Sequence, residues 1–412
     1  MEFMSQIIYF FICIYVIILP LISEKFLIIS KVSDLLLVSI IFLYLIKVLF
    51  NRKNRNNFIF NLSDFLKSFL GISMTILTLI MITSTIYATE KPLALSETFR
   101  FITYIALIFI IKYEIKEDNK IKNIINCFIF TTVILTLFGL IQYFTKLGLD
   151  VKFISDEGTR ITSTMSNPNG LGAYIVLTIF PIFMLSFSKK EKKIDGKYFI
   201  LAGIMLIDLL LTYSRNSLIG FGIGFIVLAI ICSYKILYAL LLFIPIFIFD
   251  KTIIYRFEDI SRELTSGPRL KLWQIAGKMI KEHPILGVGN GNYVALYDEY
   301  VERYPEYAYQ DYHRFSSHNS YLKIQSELGI LGSISFISVI IATLNTIIKT
   351  YKTTKDKYYK VFYMGVMAST IAFLCMNCLD NLFFSPQTTT YFWLFIALGE
   401  NILSKNKKTA LN

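Results

Sequence analysis

Residues 123–145, NIINCFIFTTVILTLFGLIQYFT, run without one acidic or basic side chain. A helix rises about 1.5 Å per residue, so this run can cross the roughly 30 Å hydrocarbon layer of a bilayer. Outward from it, comparable runs recur at 6–22, 32–50, 65–88, 94–111, 169–187, 198–213, 217–233, 236–249, 319–348, 361–380 and 386–403. Over 412 residues the chain is 55% hydrophobic with a mean hydropathy of +0.58, too apolar for one soluble core. The expectation is an all-α polytopic integral membrane protein with about 12 transmembrane helices. It forms a single membrane domain over 1–412, with one large extracytoplasmic loop at 250–318.

Basic residues set the orientation. Arg52, Lys53 and Arg55, the lysines at 112–122, 189–197 and 349–360, and the tail lysines 405, 407 and 408 all fall in alternate connections. The other short loops carry far fewer, and short basic loops stay on the cytoplasmic side. Both termini are therefore expected in the cytoplasm and the 250–318 loop outside. The net charge of +12 is explained by these loops and implies no nucleic-acid partner. The N-terminus lacks a basic n-region and a small-residue cleavage site, so its first apolar run reads as a retained span. Cys13, Cys127, Cys232, Cys375 and Cys378 lie within or at the ends of apolar runs and read as packing residues, not a disulfide frame.

The polar insert gathers the chemistry. It holds His283, His313 and His318, opening with GPRLKLWQIAGKMIKEHPILGVGNGNY (267–293) and closing with SSHNSYLKIQSELGILG (316–332). Arg269 begins a helical run in which Leu270, Trp273, Ala276 and Ile280 suggest an apolar stripe. Lys271, Lys278 and Lys281 read as lipid-headgroup contacts, and Trp273 as an interfacial anchor. At a helix N-terminus, Arg269 is placed to grip a phosphate with two parallel bonds. HPILGVGNGNY lacks the Lys-Ser/Thr ending of a phosphate loop. It reads as a tight turn in which Gly287, Gly289 and Gly291 supply positive φ or close backbone approach.

Arg215, in TYSRNSLIGFGIG (212–224), leaves two readings open: a pair with Asp208 or a snorkelling arginine, or a cation facing a wet anion site beside Asn216. His318 reads either as a helix-start residue or as a base that titrates near neutral pH, with Asn319 beside it to fix the ring or a substrate. Arg160, ahead of the SNPNG turn at 166–170, is a third candidate cation. YDEYVERYPEYAYQDYHRF (297–315) suits either sugar rings or an ordinary interfacial lid. On the external side no nucleotide pool is available, so a transferase there needs a donor that arrives activated, such as a lipid-linked diphosphate. The external loops show no metal-ligand cluster, so neither metal nor cofactor is expected.

At SRNSLIGFGIG, R-x-x-x-W (Arg269 to Trp273), HPILGVGNGNY and H-N-x-Y-L…E-L-G-x-x-G (His318 to Gly332), the chain resembles the O-antigen ligase family of membrane glycosyltransferases. That group includes surface-polysaccharide polymerases and protein O-oligosaccharyltransferases. The resemblance implies a lipid-sugar, GT-C-like glycosyltransferase architecture in the bacterial cytoplasmic (inner) membrane. It also implies an undecaprenyl-diphosphate-linked oligosaccharide donor and a glycan or lipid-core acceptor. It assigns His318, Arg215 and Arg269 as catalytic, with Arg160, Asn216, Trp273 and Asn319 at the substrate. Membrane lipids, a flippase and a chain-length regulator are the expected partners, and transfer is expected to invert the anomeric centre without metal. Polymerisation is the favoured activity and ligation the alternative. A polysaccharide flippase or transporter is the rival of another class, though no internal repeat of the transporter kind is evident.

Overall fold

The computed structural model describes residues 2–22, 27–155, 158–189, 193–233, 267–309 and 312–411. Its helices are α1 (Glu2–Ile18), α2 (Leu27–Leu49), α3 (Arg52–Lys67), α4 (Phe69–Tyr87), α5 (Lys91–Glu114), α6 (Asp118–Thr145) and α7 (Pro168–Leu185). They continue with α8 (Gly196–Leu211), α9 (Arg215–Ile231), α10 (Pro268–Glu282), α11 (Tyr293–Arg303), α12 (Ser320–Thr353), α13 (Lys357–Met376) and α14 (Pro386–Leu411). The two-residue strands β1 (Ile154–Ser155) and β2 (Gly158–Thr159) pair antiparallel.

Among the described residues, seven helices are long and apolar enough to cross a membrane: those in α2, α4, α5, α6, α7, α12 and α13. Helices α1 and α9 are apolar but shorter. The chain is thus an all-α protein with multiple candidate spans. The expected span at 236–249, and the loop before residue 267, lie outside the described residues. The connection between the expected spans at 32–50 and 65–88 is itself helical, because α3 (Arg52–Lys67) runs through it. Asn51 caps that helix, its side chain accepting from the backbone N–H of Lys53 and Asn54. Most of the exposed face of α3 is polar, with Phe65 buried at its end.

Helix α7 is the shaft of the bundle, buried along nearly its whole length. Small residues let its neighbours close on it, as in packed membrane helices generally. Gly365 of α13 lies so near the backbone that a Cβ there would stand 2.6 Å from Pro181 Cα. In the same way, a Cβ on Gly172 would stand 2.7 Å from Ser217 Cβ of α9. At one end of the bundle, lysines pair with acids: Lys47 with Glu114, Lys112 with Glu400 at 2.9 Å, and Lys122 with Asp356 at 3.0 Å. The candidate site lies at the other end.

There, α10 and α11 build a second small core of Leu272, Ile275, Ala276, Met279, Val288, Tyr293, Tyr297 and Tyr300. This corrects the expected stripe. The face of α10 that is buried is 272/275/276/279, because the tyrosines of α11 and not lipid cover it; Leu270 and Ile280 lie only half-buried beside it. Lys278 likewise packs over the Tyr304 ring, 4.2 Å from its centroid, and Lys271 donates to the Ala308 carbonyl at 2.8 Å. Both lysines thus have protein partners.

Candidate active site

The glycine loop and the start of α12 fix the frame. Gly287, Gly289 and Gly291 have φ of 71°, 104° and 71°, as the turn reading required. A side chain at Gly289 would come within 2.7 Å of Ala88, so the loop lies directly on the end of α4. Asn290 reaches into the α4–α5 hairpin, donating to Thr98 Oγ1 at 3.1 Å while its own N–H donates to Ser84 Oγ at 3.1 Å. Helix α12 breaks at Gly329 (φ 64°, ψ −163°), and the backbone groups opened there accept the loop. Val288 N–H donates to Ser326 O at 2.9 Å and Gly289 N–H to Glu327 O at 2.8 Å. The Glu327 side chain, 1% exposed, accepts from the N–H of Gly291 (2.9 Å) and Tyr293 (3.1 Å) and pairs with Lys323. Loop, α11 and the first part of α12 thereby become one unit, so the residues of α10 and α12 keep a fixed relation.

His318 stands at the start of this unit with φ 47°, a left-handed conformation uncommon for a non-glycine residue. Bonds on the adjoining residues hold it: Asn319 Oδ1 caps α12 through the N–H of Tyr321 and Leu322, both at 3.0 Å. Ser317 Oγ donates to Asn319 O at 3.1 Å, and Ser320 binds Asn377 through both its N–H (2.9 Å) and its Oγ (2.6 Å). The turn after α13 is thus stitched to HNS, and it presents Asp380 to the imidazole. His318 Nδ1 lies 3.0 Å from Asp380 Oδ1, with the two side chains 31% and 15% exposed. Burial pushes the Asp380 carboxyl up. The His318 hydrogen bond and charge, the Asn381 N–H and the charge of Arg269 outweigh that and hold it below the ordinary carboxylate value.

Arg269, in the first turn of α10, is therefore within electrostatic reach of the His318–Asp380 pair. Arg215 opens α9, and its neighbour Asn216 donates to Met376 O at 3.1 Å, at the end of α13 that leads into the Asp380 turn. Arg160 donates to Thr212 O at 2.9 Å and to Asn169 Oδ1 at 3.2 Å, locking the strand segment to the end of α8 just before Arg215. All three arginines thus sit at the His318 end of the bundle. Asn216 and Asn319 spend side-chain atoms on backbone partners. Trp273 is half-buried against the tyrosine core, and its indole N–H has no partner among the described residues.

The alternative Arg215–Asp208 pair is not formed. Asp208 is enclosed on α8, neither oxygen hydrogen-bonded among the described residues, and it faces α6, where a Cβ on Gly139 would stand 2.8 Å from it. Arg215 instead follows a turn in which Tyr213 takes φ 49°. His283 is exposed in the glycine turn, and His313, 82% exposed, lies 3.5 Å from Asp298. Among the described residues, no three His, Cys, Asp or Glu side chains gather as metal ligands.

Asp380 is the residue that reading the sequence missed. Its signal was a lone carboxylate at the end of an apolar run, where hydrocarbon makes an unpartnered charge costly.

The geometry defines a helical membrane protein with an imidazole–carboxylate pair and arginines at one end of the bundle. Residues 200–337 match the family model described as O-Antigen ligase, a stretch that contains Arg215, Arg269 and His318; the match supports membership of the O-antigen ligase family. It supports glycan transfer of the ligase or polymerase type by a membrane glycosyltransferase-like enzyme acting on lipid-linked glycans. A comparison with curated proteins finds no significant match.

Proposed function

We propose that the protein transfers a glycan from undecaprenyl diphosphate to an acceptor hydroxyl outside the cytoplasmic membrane, polymerising surface-polysaccharide repeat units. The observation that carries this reading is the 3.0 Å His318–Asp380 contact with Arg269 in electrostatic reach. With Nδ1–H donating to the carboxylate, Nε2 keeps its lone pair for the proton of the attacking hydroxyl. General-base help of this kind contributes about 10²–10⁴ in rate. The acceptor oxygen bonds to the anomeric carbon as the carbon–diphosphate bond breaks on the opposite face, which inverts the centre. The departing diphosphate takes the electron pair, and Arg215 and Arg269 stabilise it, each well-aimed donor supplying about 3 kcal/mol. On the same reading Arg160 and Trp273 are assigned to the donor. The positive-inside rule supports an external site, because the lysine-rich connections lie at the opposite end of the bundle.

The test gives purified protein a polyprenyl-diphosphate oligosaccharide with EDTA present and sizes the products. Lengthened lipid-linked chains are the expected result. Product formed only with added lipid core means ligation, whereas no turnover together with transport in vesicles overturns the enzyme reading in favour of a flippase.

A further inference from the structure

A run of aromatic rings leads to His318. Tyr309 and Tyr312 lie parallel, their planes 4° apart and centroids 5.0 Å apart. Tyr312 and Phe315 are 4.6 Å apart, and Phe315 and His318 are 5.3 Å apart. Tyr309 and Phe315 back onto the tyrosine core of α10–α11, but Tyr312 remains 45% exposed. Its surroundings are polar. Asp298 accepts from Arg314 N–H at 3.0 Å and lies near the exposed His313, while the Arg314 guanidinium grips Glu90, with one bond of 2.9 Å. The result is a half-exposed aromatic ring, backed by packed rings, followed in the chain by the hydrogen-bonding His313 and Arg314 and one ring away from the imidazole.

That combination suits one ligand class. A pyranose presents C–H groups on its faces and hydroxyls around its edge, so it needs an aromatic platform inside a polar rim. A prenyl chain needs an apolar groove without charges at its edge. Packed rings lose little freedom when a ligand lands on them, which favours binding. We propose that Tyr312, supported by Tyr309 and Phe315, is the platform on which the terminal sugar of the acceptor glycan stacks, bringing its hydroxyl to His318. The placement rests on the glycosyl-transfer reading above, but the sugar contact can be measured without turnover.

The probe is oligosaccharide released by mild acid from the polyprenyl lipids of the producing cells. Saturation-transfer NMR reports which of its protons touch wild-type protein, Tyr312→Phe and Tyr312→Ala, and acceptor KM and kcat are measured in parallel. Wild type and Tyr312→Phe should saturate the sugar-ring protons. Tyr312→Ala should lose that signal and raise KM about tenfold, with kcat nearly unchanged, as expected for one lost ring-stacking contact. Phe315→Leu, which removes the support but not the exposed face, should raise KM less. Unaltered sugar saturation in Tyr312→Ala, or no sugar saturation in wild type, overturns the platform and leaves glycosyl transfer standing. The expected binding loss with no turnover in wild type does the reverse.

Discussion

The glycine loop at 284–293 closes over a carboxylate of α12 itself, Glu327, whereas the turn at 377–381 brings its own, Asp380, to the start of α12, and the two are used in opposite ways. Glu327 is sealed, with backbone N–H groups and Lys323 taking its oxygens. Asp380 takes one backbone N–H, from Asn381, and turns the same oxygen to an imidazole that is itself partly exposed. A saturated carboxylate has nothing left to offer a reactant and serves the shape of the loop. A carboxylate bound to a titratable ring at the edge of solvent can orient that ring and stabilise it when it gains a proton. The two regions are joined through α12, so a correct loop is a precondition for a correct turn.

Exchanging the fates of the two regions is the strongest way to break this comparison. His318→Ala and Arg269→Ala should each lower turnover by about 10²–10⁴ while leaving thermal unfolding in detergent unchanged. Glu327→Ala should do the opposite, losing about 3–5 kcal/mol of stability because Lys323 is left buried and unpaired. Its unfolding midpoint, not its chemistry, is the quantity to follow; a folded and merely inactive variant would erase the distinction. Asp380 sharpens the contrast through pH. Its carboxyl is held below the ordinary 3.8, so its contribution to stability is complete above that value and fades as pH falls through the lower native one. The stability gap between wild type and Asp380→Asn should therefore narrow below about pH 4, as unfolding midpoints across that window would show. Lys278→Ala should have the smallest effect, about 1 kcal/mol in stability from its cation–π contacts with Tyr304 and Tyr307, with turnover unchanged.

Much of this was legible locally. Apolar run length marks α2, α4–α7, α12 and α13, and three glycines at alternate positions announce a loop that needs positive φ and close approach. Arg269 and His318 could be named because each begins a helix within a recognisable motif. What could not be read were partners brought together by the fold. Asp380 lies 62 residues beyond His318 and meets it only because Ser320 and Asn377 tie α12 to the end of α13. Asp208 lies seven residues before Arg215, yet the Tyr213 turn sets them on different helices, α8 and α9, and Asp208 faces α6. The buried face of α10 shares only Ala276 with the expected stripe for the same reason: periodicity marks an apolar face, but only the α11 tyrosines decide which one is covered. Gly329 also hides inside an otherwise continuous helical run, and its break is what lets Glu327 collect the loop.

The claim that Asp380 acts through His318 is tested most directly by a double-mutant cycle on single-turnover transfer from polyprenyl-diphosphate oligosaccharide. Wild type, Asp380→Asn, His318→Ala and the double variant would be compared, each first shown to be folded. If Asp380 acts through His318, Asp380→Asn slows the wild-type reaction by about tenfold or more and changes nothing further once His318 is gone. Equal slowing by Asp380→Asn in both backgrounds would contradict it.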